Sequence, residues 1–293
     1  METDMPLRTP ENFEHHFAQL SDIKLHYVRE GTGPPLLLVH GWPGFWWEWH
    51  MNIAPLAEHF DVIVPDMRGY GDSEKPPLDR VELYHTDCVV ADFVQLLDHL
   101  KIERIFIAGH DWGSEIVHKL VRRHRERIIK AAAFNPGGPG WMERYLGPDH
   151  FHESWYAMFH NLPMAVELVG SSREACKIYY RHFLSHWSYD PNLFSEEELE
   201  IYVDNFMKPG NIAGGFNFYK LPSSWSAIDR TITDCPMTFL QGMNDPVAPA
   251  AWTDILTSWH RNYTIEYLPE CGHFVMREKP DLVNRRLREA FLG

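Results

Sequence analysis

The chain has 293 residues, 44% of them hydrophobic and 23% charged, which is typical of a globular protein with a sizeable core. Its length suits one large α/β domain with an insertion better than a small module. Lysine and arginine number 27 against 41 aspartate and glutamate residues, so the formal net charge is −14. This charge argues against nucleic acid or an anionic membrane as a partner, because both bind basic surfaces.

The same sequence bears on the cell compartment. The N-terminal segment has no basic stretch followed by an apolar run, so we expect no signal peptide. No apolar run approaches the roughly 18–20 residues that cross a bilayer. The four cysteines are scattered, with neither a CxxC pair nor metal-ligand spacing. We therefore predict a protein of the reducing cytoplasm, without a metal site.

The first half of the chain alternates predicted strands with helices. The candidate strands are His16–Leu20, Lys24–Arg29, Leu36–Val39, Phe60–Pro65, Arg104–Ala108 and Lys130–Phe134. The first two alternate around a turn and predict a hairpin. Later runs are continuously apolar, which favours a parallel sheet covered by helices on both faces. Thr86–Leu100, with apolar residues at helical spacing, is one such helix.

The sequence pattern changes after residues 135–140, a run of glycine, proline and asparagine that interrupts secondary structure. Helical patterns then follow, including the capping box Ser195-x-x-Glu198 and a similar start at Ser171. Strand patterns resume at Met237–Leu240 and Tyr263–Leu268, and a last helix follows residue 280. We predict an α/β core of residues 1–140 and 231–293, interrupted by a helical cap at residues 141–230.

The strongest functional signal is the segment Ala-Gly-His-Asp-Trp-Gly at residues 108–113, between a predicted strand and a predicted helix. Small residues around a nucleophile at such a turn are typical of a nucleophile elbow. The nucleophile position holds Asp111, a carboxylate that needs no base to activate it. Carboxylates attack sp3 carbon, as in an epoxide or a carbon–halogen bond, and the resulting ester is then hydrolysed. The simpler alternative is that Asp111 only caps the helix.

A second motif, His-Gly-Trp-Pro at residues 40–43, directly follows a strand. We expect the backbone N–H groups of Trp42 and Trp112 to form an oxyanion hole for ester hydrolysis. The alternative is an ordinary Gly-Pro turn, and the motif gains weight mainly from its position before the elbow.

Two further residues follow late strands in the order nucleophile, acid, histidine, which is typical of the α/β-hydrolase fold. His273 lies in Glu-Cys-Gly-His-Phe and is the candidate general base for the attacking water. Asp245 lies in Asn-Asp-Pro and is the candidate that orients this histidine, unless it only forms an Asx turn. The other position where such folds place the acid holds Asn135.

Seven stretches carry a specific resemblance that covers nearly the whole chain. They read HYVREGTGPPLLLVHGWPGFWWEW, DVIVPDMRGYGDSEKP, GHDWG, HESWYAMFH, VGSSREACKIYYRHF, GGFNFYK and CGHFVMREKP. The chain resembles the soluble epoxide hydrolases of the α/β-hydrolase fold, above all the small bacterial enzymes of the Agrobacterium radiobacter type. The resemblance implies a triad of Asp111, Asp245 and His273. It also implies a small-molecule epoxide and water as reactants, with no cofactor.

The resemblance further implies the groups that assist ring opening. In that family two cap tyrosines donate hydrogen bonds to the epoxide oxygen, and they match Tyr156 in HESWYAMFH and Tyr219 in GGFNFYK. A phenol with a pKa of about 10 suits this role, since an opening epoxide develops alkoxide charge. The aromatic-rich cap favours aryl or other apolar epoxides. The oligomeric state stays open.

The sequence departs from that pattern in two places. Trp112 stands where the bacterial relatives carry Phe, and His-Asp-Trp-Gly-Ser also occurs in haloalkane dehalogenases. The return segment Leu221–Thr233 is short, which bears on substrate shape. A haloalkane dehalogenase is one alternative function, although its usual halide-binding Asn is replaced by Trp42. A small haloacid is disfavoured by Glu115, which would repel it. A non-catalytic ligand-binding protein is the other alternative.

Overall fold

The computed structural model describes residues 8–136, 141–220 and 231–293. Their strands form one eight-stranded sheet in the order β1-β2-β4-β3-β5-β6-β7-β8. The strands are β1 His15–Gln19, β2 Lys24–Glu30, β3 Pro35–Val39, β4 Asp61–Pro65, β5 Ile105–His110, β6 Ile128–Phe134, β7 Met237–Gly242 and β8 Tyr263–Leu268. The predicted opening hairpin is confirmed, because β1 and β2 pair antiparallel.

The predicted parallel sheet is also confirmed. β2 joins β4 antiparallel, whereas all pairs from β4 to β8 are parallel. Every residue of β4 and β5 is buried, as the continuous apolar runs require when helices cover both faces. The edge strand β1 is mostly exposed.

Helices flank this sheet and fill the interval between β6 and β7. They are α1 His50–Ala57, α2 Thr86–His99, α3 Trp112–Arg123, α4 Trp141–Tyr145, α5 Phe151–Phe159, α6 Pro163–Val169, α7 Arg173–His186, α8 Glu196–Phe206, α9 Asn211–Asn217, α10 Val275–Glu278 and α11 Pro280–Leu292. No helix within these described ranges is long and apolar enough to cross a membrane.

Two predicted helix starts have different outcomes. The capping box at Ser195 is present, with Ser195 Oγ accepting from the Glu198 amide at 3.2 Å and Glu198 accepting from the Ser195 amide at 3.0 Å. The start predicted at Ser171 is wrong by one residue. Ser172 is the N-cap of α7, because its hydroxyl accepts from the Ala175 amide at 3.1 Å.

The helices α4 to α9 follow one another between β6 and β7, in the region predicted as the cap. The exact limits of that region stay a prediction, since residues 137–140 and 221–230 lie outside the described part of the chain. The same holds for most of the return segment Leu221–Thr233.

The parallel strands place the predicted site residues at one edge of the sheet. The segments after β3, β5, β7 and β8 all leave the carboxyl ends of parallel strands, where ligand sites form in such sheets. The helices α5 and α7 supply aromatic rings that pack onto this edge, for example Tyr156 and Phe183 against Trp42. The site therefore lies between the sheet edge and these helices.

Candidate active site

The turn between β5 and α3 holds Asp111 in a strained backbone conformation with φ +53°. Small residues on either side allow it. A Cβ on Gly109 would lie 2.3 Å from the Gly113 carbonyl oxygen, and one on Gly113 would lie 2.3 Å from the Val39 carbonyl oxygen. Any larger residue would therefore push the turn away from β3. Strain of this kind is held in place at functional sites by the surrounding structure.

The Asp111 carboxylate faces the predicted oxyanion hole. Its side chain makes no capping hydrogen bond to α3. Instead Oδ1 accepts the Trp42 amide hydrogen at 2.8 Å. Burial raises the pKa of Asp111, while His273, His110 and the backbone amides of Trp42 and Trp112 oppose that rise in part. The carboxylate is therefore poorly hydrated and partly balanced by fixed dipoles, a state that favours attack on carbon.

His273 and Asp245 meet beside this nucleophile. The Asp245 Oδ2 lies 3.0 Å from His273 Nδ1, and Oδ1 accepts the Val247 amide hydrogen at 2.7 Å. The other ring nitrogen, Nε2, is 3.8 Å from Asp111 Oδ2 and has no hydrogen-bond partner among the described residues. Burial lowers the pKa of His273, but the carboxylates of Asp245 and Asp111 outweigh it and the net shift is upward.

Three polar residues hold the loops that carry the nucleophile and His273. The sequence reasoning did not select them as site groups. His110 directs Nδ1 to Glu48 Oε1 at 2.8 Å and Nε2 to the His273 carbonyl at 2.9 Å. Asn135 donates to the carbonyls of Gly272 at 3.0 Å and His273 at 2.7 Å. His110 and Asn135 had a signal in the sequence, since one precedes the nucleophile and the other ends a core strand. Glu48 had none.

Asn135 also joins the loop that carries Asp245 (the acid loop) to the loop that carries His273 (the base loop). Its Oδ1 accepts the Gly242 amide hydrogen at 2.7 Å, three residues before Asp245. The Trp187 carbonyl in turn accepts the His273 amide hydrogen at 2.8 Å. The base loop is therefore held both by the core and by the chain that follows α7.

The two tyrosines expected from the resemblance lie near Asp111 in an aromatic cluster. Tyr156 on α5 and Tyr219 after α9 are 2% and 5% exposed, and their ring centroids are 5.5 Å apart. The Trp42 ring stacks on Tyr156 at 5.1 Å and meets Tyr219 edge-on at 5.9 Å. Burial and the nearby Asp111 charge raise the pKa of both phenols. Both hydroxyls are therefore protonated donors at neutral pH.

The structure thus brings all seven predicted site residues together at one edge of the sheet: Asp111, His273, Asp245, Tyr156, Tyr219, Trp42 and Trp112. The Tyr219 hydroxyl, like His273 Nε2, is buried without a hydrogen-bond partner among the described residues. Both atoms can therefore form a hydrogen bond with a bound molecule. A further hydroxyl, that of Tyr145, also lies in this cluster.

One group of metal-ligating side chains occurs in the described ranges, formed by His26, Asp66 and Asp72. Hydrogen bonds account for its buried members. Asp66 lies 2.7 Å from His26 Nδ1 and accepts the amide hydrogens of Trp46 and Asp72, each at 2.9 Å. The His26 bond lowers the pKa of Asp66 to about 2 against the effect of burial. The group holds the segment after β4, and none of its members belongs to the predicted triad.

Comparisons with known proteins show what the whole chain is similar to. A family model for the alpha/beta hydrolase fold matches residues 34–169. The soluble epoxide hydrolase of Corynebacterium sp. (strain C12) is 32% identical, covering 92% of this chain and 94% of that protein. The human protein epoxide hydrolase 4 is 28% identical, covering 95% and 79% respectively. The solved structure of the epoxide hydrolase CorEH superposes with a TM-score of 0.86 at 29% identity, over 96% of this chain and 99% of that one.

Proposed function

Because this chain belongs to the soluble epoxide hydrolases of the α/β-hydrolase fold, we propose that it converts an apolar or aryl epoxide and water into a vicinal diol. The observation that carries this proposal is a mostly buried carboxylate, Asp111, whose charge acts on two buried phenols, Tyr156 and Tyr219. A nucleophile opposite proton donors is what ring opening of an epoxide requires.

The first step forms an ester on Asp111. One carboxylate oxygen attacks a ring carbon, and the carbon–oxygen bond of the epoxide breaks. Tyr156 and Tyr219 donate to the ring oxygen as it gains negative charge, so a free alkoxide is never formed. Since Oδ1 is already bound by the Trp42 amide, Oδ2 is the attacking oxygen.

The second step hydrolyses this ester. His273 takes a proton from water through Nε2, the ring nitrogen that Asp245 leaves free by holding Nδ1. The hydroxide attacks the carboxyl carbon of the ester, and negative charge develops on the oxygen held by Trp42 N–H. Backbone amides of Trp42 and Trp112 stabilise that charge. The tetrahedral intermediate then collapses, and the diol oxygen leaves with the proton held by His273. The remaining carboxyl proton returns to the tyrosine that gave its proton in the first step, which restores the Asp111 carboxylate.

The proposal also covers the cap, the reactants and the cell compartment. Residues 141–230 act as a cap that carries the proton donors, as the places of Tyr156 and Tyr219 suggest. The reactants are a small epoxide and water, and the described chemistry asks for no cofactor. The cytoplasm is the proposed compartment, in keeping with four cysteines that are all unpaired thiols.

Intact-protein mass spectrometry of His273→Gln tests the reaction class. Without its base the enzyme accumulates the ester, so styrene oxide is expected to add its whole mass to the protein. A bromoalkane is expected to add nothing. The matched control is His118→Gln, another buried histidine that pairs with His260 Nε2 at 3.1 Å, which is expected to show no adduct and normal turnover.

Two outcomes would contradict the proposal. An alkyl adduct with bromide release would identify a haloalkane dehalogenase. No adduct from either reagent, together with no diol from the unmodified enzyme, would favour a ligand-binding protein of the same fold.

A further inference from the structure

A third tyrosine hydroxyl lies in the aromatic cluster, and the proposed reaction gives it no role. Tyr145 ends α4 and is 2% exposed. Its hydroxyl donates a hydrogen bond to the hydroxyl of Tyr156. Its ring stacks on Trp141 with centroids 4.4 Å apart. A fully buried phenol bonded to another phenol is a polar arrangement that packing alone does not require.

Contacts with the core fix α4 beside the site. Arg144 makes a two-pronged hydrogen bond to Asp254, at 2.7 and 3.0 Å. Trp141 meets Trp252 edge-on with centroids 5.8 Å apart. Asp254 and Trp252 belong to the 3-10 helix Ala250–Ser258, which follows the Asp245 loop. The Tyr145 hydroxyl is therefore positioned from the core, whereas Tyr156 is carried by α5.

The direction of the hydrogen bond between Tyr145 and Tyr156 decides its chemical effect. Tyr156 accepts from Tyr145, so its own hydrogen is not used in the bond and is available to the epoxide oxygen. A hydroxyl that accepts one hydrogen bond becomes a stronger donor in the next. It also becomes a more stable phenolate when its proton leaves, and the Tyr145 bond accordingly opposes the rise that burial causes in the Tyr156 pKa.

We propose that Tyr145 is a positioning residue for ring opening, which acts by donating its hydrogen bond to Tyr156 and so orients and strengthens that proton donor. The proposal rests on the proposed epoxide hydrolysis. In the opening step Asp111 bonds to carbon, the ring carbon–oxygen bond breaks, and the oxygen takes the Tyr156 proton. The phenolate left on Tyr156 is held by Tyr145. It regains a proton from the attacking water of the second step, when the Asp111 carboxylate re-forms.

Single-turnover kinetics with styrene oxide, followed by tryptophan fluorescence, separate ester formation from ester hydrolysis. Tyr145→Phe is expected to slow ester formation roughly tenfold, the effect of about one hydrogen bond. Ester hydrolysis should change less than twofold, because the Tyr145 bond acts on the donor to the ring oxygen. The control is Tyr27→Phe, a buried tyrosine of β2 whose ring stacks on His16 of β1 with centroids 5.2 Å apart. It should leave both steps unchanged.

A second variant separates hydrogen bonding from packing. Replacing Tyr145 by 3,5-difluorotyrosine keeps the shape nearly constant and makes the hydroxyl a stronger donor. At mildly acidic pH, where this phenol stays protonated, ester formation is expected to be faster than in the unmodified enzyme. A purely structural Tyr145 predicts no increase. This variant also keeps the test valid if Tyr145→Phe folds poorly.

The outcomes separate this inference from the proposed function. If the unmodified enzyme forms diol but Tyr145→Phe slows both steps equally, slows neither, or fluorination has no effect, only the role of Tyr145 is overturned. If the unmodified enzyme forms no diol and His273→Gln forms no ester, the proposed function itself fails.

Discussion

The sheet edge and the aromatic cluster above it hold their functional groups in opposite ways. At the sheet edge, directed hydrogen bonds fix each group: Asp111 to the Trp42 amide, Asp245 to His273 and to the Val247 amide. In the cluster, ring packing does most of this work. The Tyr219 hydroxyl and the Trp42 indole nitrogen have no hydrogen-bond partner among the described residues.

This difference follows from the charge that each half of the site handles. The sheet edge must keep a buried carboxylate ionised and stabilise an oxyanion, which needs dipoles fixed in advance. The cluster must offer neutral donors to a substrate oxygen, so the hydroxyl hydrogens of those donors are best left unused until the substrate arrives. Substitutions in the two halves of the site should therefore slow different steps of the reaction.

Removing the nucleophile should have the largest effect. Asp111→Ala is expected to abolish diol formation, a loss of roughly 10⁵-fold or more, because no ester can form. Its thermal unfolding temperature should stay equal or rise, since a buried carboxylate is removed. Diol analysis by chromatography, with differential scanning calorimetry, measures both. Diol formed at a normal rate would exclude the covalent route.

Removing both phenols should affect ring opening alone. Tyr156→Phe combined with Tyr219→Phe is expected to slow ester formation roughly 10⁴–10⁶-fold, because each lost donor to a developing oxyanion costs about 10²–10³. Rapid-quench mass spectrometry measures the ester directly. A variant that only weakens substrate binding, with ester formation at saturation unchanged, would contradict a role as proton donors.

Changing the acid should affect hydrolysis and its pH dependence. Asp245→Asn is expected to slow ester hydrolysis by roughly 10³–10⁴-fold, because the imidazole loses its orienting carboxylate. His273 must be neutral to act as a base, and Asp245 raises its pKa. The activity of the unmodified enzyme therefore falls as the pH drops through this raised pKa, and the variant should lose its remaining activity only at a lower pH. A pH profile of the ester hydrolysis rate checks this shift. The same profile in the variant and the unmodified enzyme would argue against a functional pair of Asp245 and His273.

The smallest expected effect concerns the support of the loops. Asn135→Ala removes two donated bonds and one accepted bond, so we expect unfolding to become easier by about 1–3 kcal/mol, with the ester still formed. Urea unfolding measures the change. Asn192→Ala, at an exposed asparagine, is the control and should have almost no effect. Equal stability of the two variants would show that Asn135 does not join the loops.

The strands and the elbow were accessible from sequence because their signals are local. Continuous apolar runs predict buried parallel strands, and β3 to β7 follow those runs within a few residues. A strained turn between a strand and a helix needs small neighbours, so the small residues around Asp111 indicate a nucleophile elbow. The order of Asp111, Asp245 and His273 along the chain is a second constraint that can be recognised without the fold.

The proton donors had no such signal. The chain has 12 tyrosines, and no pattern around Tyr156 or Tyr219 separates them from packing residues; only the family resemblance selected them. Tyr145 was not selected at all, since its role depends on where α4 contacts the 3-10 helix Ala250–Ser258.

The sequence by itself therefore determined the strands, the elbow and the short motifs that hold Asp245 and His273, because each depends on neighbours within a few positions. Only the tertiary structure decided what supports them. Glu48 and His110 are 62 positions apart, and Asn135 reaches His273 across 138 positions. Such contacts arise when the parallel strands bring their carboxyl ends to one edge, and no local pattern encodes which side chains then meet.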